Sequence, residues 1–342
     1  MRIVFIKLLI IGAFFCTACV TRPSSEPTIN LEMGLGRLWN IHDLCKDVDV
    51  IPIKCSIGDS FKPSSPVVMD ISNDYILLLD DNRDKIFVFD QTGDYVHHIV
   101  LPQTAMDFSI YQDTVLSVLL GGNVLEYSLK SFNCLSEFHF PDNGVNLRAL
   151  MRRDENVLLL SGSADGRGYD CEFFVDKNKF ISMLNPVNEE MDIQENRFFR
   201  YADSTFYYYA TSGMVLYYTV DDFIIPLYEW RFKTRGKKQT SEVAFKNVQR
   251  SSTYLYLAIE RDGEECIIVY RISDGRYKVI KQMRGGIKFP LGIIRDDVNY
   301  SYSSASSLSN YLDKTFLEKV EPTLRTLKAE SPVVVKYALD TR

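Results

Sequence analysis

Beyond position 19 the sequence contains no C-x-x-C pair, and its four histidines, His42, His97, His98 and His139, show no H-x-x-x-H spacing and no acidic partner at a fixed offset. That leaves no recognisable zinc centre or thioredoxin-type thiol pair. A formal charge of −6, from 39 Lys and Arg against 45 Asp and Glu, lacks the cationic footprint of a nucleic-acid-binding protein. No convergent nucleophile, base and oxyanion set is recognisable. Ser163, in Gly162-Ser163-Ala164-Asp165-Gly166, stands one residue out of register for a nucleophile elbow and reads as a turn. Asp80, Asn82 and Asp84 match three positions of a calcium loop, but Lys85 and Gln91 occupy its glycine and glutamate places, so a hairpin turn is expected. No metal and no cofactor is expected. Tryptophan is scarce, with two residues against 20 Tyr and 21 Phe, a balance that suits pleated, half-buried surfaces.

What is present begins at the N-terminus. Arg2 and Lys7 precede Leu8 to Phe15, an apolar run too short to span a bilayer as a mature anchor. It ends in Phe15-Cys16-Thr17-Ala18-Cys19, which resembles a bacterial lipobox, with Cys16 in the place of the usual leucine. The resemblance implies residues 1–18 as a signal peptide and lipidation at Cys19, hence a membrane partner through the lipid. Residues 19–30, with Pro23, Ser24, Ser25 and Pro27, read as a flexible tether, and 31–342 as the folded body. No acidic residue follows Cys19 in Val20-Thr21-Arg22-Pro23-Ser24, so a periplasmic-facing anchor is expected. Five further cysteines, Cys45, Cys55, Cys134, Cys171 and Cys266, cannot all pair with one another, and Cys45 with Cys55 is the one nearby candidate for a disulfide.

The body repeats itself. Tyr75 to Leu79, Lys85 to Phe89 and Tyr95 to Ile99 are three strand-like runs joined by turns, with Gly93 placed for the positive φ of a hairpin. Turn residues ahead of apolar or aromatic runs recur at Asp113, Asp154, Asp203, Ser252 and Asp297. From Asp74 the steps are about 40 to 50 residues, the period of propeller blades. Six anchors predict six four-stranded antiparallel blades. The last copy is short of strands, and Asp47 to Ile53 with Ser331 to Leu339 are left to complete it, closing the ring. Pro226 places the last strand of the fourth copy at an outer edge. Leu308, Tyr311, Leu312, Phe316 and Val320 follow helical spacing, with Pro322 expected to end that helix.

The lipobox, YILLLD…KIFVFDQTGDYV, DSTFYYYATSGMVLYYTVDDFIIPLYEWRF and the terminal SPVVVKYAL together resemble the six-bladed β-propeller lipoproteins of Bacteroidetes. The resemblance implies fold and says little of activity. The expected function is a lipid-anchored, non-catalytic module for an unknown ligand or protein partner. The alternative is a glycan-directed hydrolase or lyase at the channel mouth. Arg148, Arg152 and Arg153 are the candidate ligand-binding residues, because guanidinium forks suit a carboxylate or sulfate. The cationic run Arg231 to Lys238 (RFKTRGKK) reads as a solvated loop between blades.

Overall fold

A computed structural model of the chain describes residues 28–32, 41–55, 61–64, 67–141, 144–164, 167–183, 187–190, 198–202, 204–208, 215–220, 223–233, 243–261, 264–280, 291–308 and 312–340. Cys19 and the signal segment lie outside these residues, as does most of the 231–238 cationic run.

The fold is an all-β propeller of four-stranded antiparallel blades with few helices. The described strands form six sheets. The first holds Met69–Ile71, Tyr75–Leu79, Lys85–Asp90 and Tyr95–Val100, in sequence order from the channel outward. The second (107–139), third (146–183), fourth (198–233) and fifth (243–280) repeat this meander. In the closing sheet Ile293–Arg295, Val298–Ser304 and Pro332–Leu339 are followed, at the outer edge, by Cys45–Pro52 from the other end of the chain. Val50 stands opposite Val335, and Ile51 opposite Val334, in antiparallel register. The two leftover strands of the sequence therefore share one sheet, where Val333, Val334 and Val335 are wholly buried.

The first strand of each sheet lies beside the first strand of the next, from 69–71 through 107–111, 146–152, 198–201, 243–250 and 293–295, and the last of these lies beside 69–71 again. Between sheets the packing is apolar, because strands such as Tyr75–Leu79 are unbroken hydrophobic runs with both faces covered. Gly93 takes φ +83°, and a Cβ there would run into the carbonyl of Pro52, so the first sheet's outer hairpin can abut the closing strand only with glycine.

Three readings need correction. Thr28–Glu32 pairs in parallel with the 229–233 part of Phe223–Lys233, so residues 28–30 belong to a sheet edge and not to the tether. Pro226 lies on the part of that edge strand left uncovered, where a missing N–H costs no ladder bond. Pro322 sits inside the helix Lys314–Leu324 instead of ending it at Val320. Near the C-terminus only one ladder bond is lost to proline, and the Arg325 N–H bonds the Glu321 carbonyl beyond it at 2.9 Å. Asp313 caps the other end, accepting from the Phe316 N–H at 2.9 Å. Phe316 and Val320 bury against Leu44, Val48 and Val50, so the helix covers the outermost closing strand. Finally, Cys45 begins an eight-residue strand and Cys55 lies beyond its end. An extended chain holds them about 30 Å apart, and neither is in a disulfide.

Candidate functional site

At the end of the channel where each first strand turns into the second, the sequence places an arginine in four successive sheets: Arg152, Arg200, Arg250 and Arg295. Arg152, Arg250 and Arg295 stand two residues before their turn anchors, and Arg200 stands three before Asp203. The turns are tight. Gln112 and Asp113 have φ 48° and 57°, and Asp296 and Asp297 have φ 49° and 58°, left-handed conformations that Asp tolerates better than most residues.

The side chains lean round the mouth. Arg250 lies over the Tyr201 ring at 4.6 Å, while Arg152 and Arg200 lie over Tyr111 at 5.6 and 5.1 Å. Arg200 donates to the carbonyls of Ile110, at 3.3 Å, and Arg152, joining the fourth sheet to the second and third. Arg295 donates to the Ile71 carbonyl at 2.6 Å, to Asn73 at 3.1 Å and to the Asp113 carboxylate at 2.5 Å, bridging the closing sheet to the first and second. Burial, the largest single influence, works against the charge on Arg295, but the bond to Asp113 and the nearby charges of Asp113, Asp296 and Asp70 together outweigh it, and the guanidinium is held more firmly charged than usual. Burial instead weakens the proton affinity of Arg200, with Asp70 and Tyr111 opposing.

Deeper in, side chains of one first strand bond the backbone of the next. Asp70 accepts from Ile110 N–H at 2.7 Å, Asp107 from Leu150 N–H at 2.8 Å, and Gln249 from Ile294 N–H at 3.1 Å. Burial pushes the carboxyls up, Asp70 to about 6 and Asp107 to about 7.

Arg148, Arg152 and Arg153 are not brought together as a site. Arg148 is exposed at a bulge, opposite no residue of the second strand, about 13 Å of strand back from Arg152. Arg152 is buried against Glu126 of the second sheet and bonds the carbonyls of Asp154, at 3.0 Å, and Glu155. Arg153 is buried between Glu172, at 2.5 Å, and Asp154, at 2.9 Å. Both are committed to internal carboxylates and offer no fork to an incoming anion. Reading the sequence alone missed Arg200 and Arg295, although their recurrence just before the turn anchors is the signal that could have found them.

Elsewhere, Asp80 accepts from the N–H groups of Asp84, at 3.0 Å, and Lys85, at 2.9 Å, closing a hairpin turn. His42 pairs with Asp313 at 2.8 Å and packs on Phe316. His98 is bonded to the Tyr95 hydroxyl at 2.6 Å, His97 stacks on Phe132, and His139 is exposed.

The sequence matches no protein-family model and no curated protein. Among solved structures, the fold is similar to that of a candidate exported protein of Bacteroides fragilis. The TM-score is 0.69 at 12% identity, over 92% of this chain and 100% of the other. Virginiamycin B lyase from Staphylococcus aureus is similar over 69% of this chain and 74% of its own, at 10% identity and a TM-score of 0.45. At these identities the likeness establishes the β-propeller fold alone.

Proposed function

We propose that this chain is a lipid-anchored propeller of six blades in the bacterial cell envelope, acting as a non-catalytic module that binds a ligand or protein at the arginine-lined mouth. The observation that carries the non-catalytic reading is the state of three carboxylates at this end of the ring, among the described residues. Asp70 is taken up by the Ile110 N–H, Asp113 by Arg295, and Asp297 by the backbone and hydroxyl of Ser252 at 2.6 and 2.7 Å. A glycosidase needs two available carboxyls roughly 5 to 9 Å apart.

The count of six blades is supported by the cyclic order of neighbouring first strands. Removing residues 332–342 takes out an interior strand of the closing sheet, and a truncated chain is expected to lose cooperative unfolding altogether, read by thermal melting. A melt at the wild-type temperature overturns the closure.

Anchoring at Cys19 is supported by the small residues Thr17 and Ala18 before it, and export by the resemblance in fold to the Bacteroides protein. In Cys19→Ala the protein is expected to leave the membrane fraction and migrate at the unprocessed size; retention at the mature size refutes the anchor. The periplasmic-facing orientation is tested by protease shaving of intact cells, which is expected to spare the protein.

A hydrolase or lyase reading draws on one feature, the two carboxyls raised towards neutrality inside the ring, Asp70 and Asp107. Turnover of an acidic glycan that Asp107→Asn abolishes, with the melting temperature kept, would establish it in place of the binding reading.

A further inference from the structure

We infer that the mouth takes a ligand through a carboxylate or sulfate group, and that Arg200 is the residue that receives it. The inference rests on the reading of this mouth as the binding face and adds the chemistry of what is bound.

The four arginines differ in how their charge is met. Arg295 has Asp113 at 2.5 Å, and Arg152 has Glu126. Among the described residues, Arg200 is held by two carbonyl oxygens and the face of Tyr111, with no carboxylate in ion-pair contact. Those partners fix where the guanidinium sits without neutralising it. It is enclosed enough that burial loosens its proton, yet it retains some exposure at the mouth. A partly desolvated cation with no carboxylate in direct contact is costly, and an anion arriving there is stabilised more strongly than it would be by a surface lysine. A planar fork that donates two parallel hydrogen bonds favours the oxygens of a carboxylate or sulfate.

The neighbours set the selectivity. Arg295 is close enough to act on Arg200 electrostatically, and so adds a second positive charge to the same end of the channel. Asp70 and Asp113 lie near enough to oppose a bound anion. Asp70 is turned to the backbone N–H groups of Ile110 and Ile71, and Asp113 to Arg295. Removing the Asp113 charge while keeping its shape should free the field of Arg295 and tighten anion binding. A merely structural role for these residues gives no such change of sign.

The test titrates D-glucuronate and sodium sulfate, with D-glucose as the neutral control, into the full-length protein in detergent by calorimetry. Wild type is expected to bind one or both anions saturably and not glucose. Arg200→Gln should weaken that binding roughly tenfold or more, Arg200→Lys should fall between, and Asp113→Asn should bind more tightly than wild type. Binding by wild type of neither anion overturns the inference, as does an unchanged affinity in folded Arg200→Gln. If Arg200→Gln does not fold, Asp113→Asn decides, and unchanged or weaker binding there overturns it. Cleavage of an acidic glycan at this site would leave the anion inference standing and remove the non-catalytic reading. A correctly anchored protein that ignores both anions would do the reverse.

Discussion

The contact between the first and second sheets and the contact between the second and third are built from different materials. In the first, Leu77, Leu79, Ile86 and Val88 meet Phe108, Ile110, Leu116 and Val118, and the polar link is the bond from the Ile110 N–H to Asp70 at the inner strands. In the second, Leu119 and Val124 meet Leu150, Leu158 and Leu160, but towards the mouth the apolar layer gives way to Glu126 and Arg152, both buried. Glu126 also accepts from the hydroxyls of Ser117, at 3.4 Å, and Ser136, at 2.8 Å. The difference separates holding from placing. Apolar burial tolerates small shifts, whereas a buried ion pair loses its balance if either partner moves, and this one fixes Arg152, whose carbonyl in turn holds Arg200.

The largest effect should come from breaking the polar contact on one side. Glu126→Ala strands a buried guanidinium and is expected to cost about 3–5 kcal/mol, measured by urea unfolding. Leu77→Ala, in the apolar contact, should cost about 2–5 kcal/mol, set by how far the wholly buried site can collapse. It should leave the mouth's binding untouched, whereas Glu126→Ala should not.

A pH series sharpens the same comparison, because Asp107 stitches the second sheet to the third through Leu150. Its folded carboxyl stands at about 7, above the unfolded value of 3.8. Between these values the folded state holds a proton that the unfolded state has released. The contribution is therefore fully present below about pH 4 and is lost as pH rises through about 7. Asp107→Asn keeps the acceptor for Leu150 and removes this dependence. Its stability relative to wild type, measured by urea unfolding, is expected to be higher at pH 8 than at pH 4, by on the order of a few kcal/mol. A flat difference would refute the burial of that charge.

Replacing both Glu126 and Arg152 by Leu and Met should be nearly neutral in stability, in contrast to Glu126→Ala. The smallest change is expected at Lys54, whose bond to Asp94 is exposed. Lys54→Ala should stay within about 1 kcal/mol, by the same urea assay.

Much of the architecture could be read from local residues. The apolar run Tyr75–Leu79, the turn at Gly93 and the stranded pair Asp47 to Ile53 and Ser331 to Leu339 each carry their own signal, because strand burial and turn geometry act over a few positions. The fate of the arginines could not be read that way. Arg152 finds Glu126 across a sheet boundary, and Arg153 finds Glu172 two strands away in its own sheet. Neither partner lies at an offset that a single sequence marks. Likewise, nothing in TINLE announces that it will join the edge of a strand some two hundred residues later.

The closing sheet also sets a clock on folding. Cys45–Pro52 is made about 280 residues before Pro332–Leu339, the strand against which it pairs. At translation rates of about 5–20 residues per second, the early strand waits on the order of tens of seconds with an unsatisfied edge. For that interval Val48, Val50 and Ile51 need some other cover, so the nascent chain is most open to strand-to-strand misassociation, and to chaperone capture, at its N-terminal end.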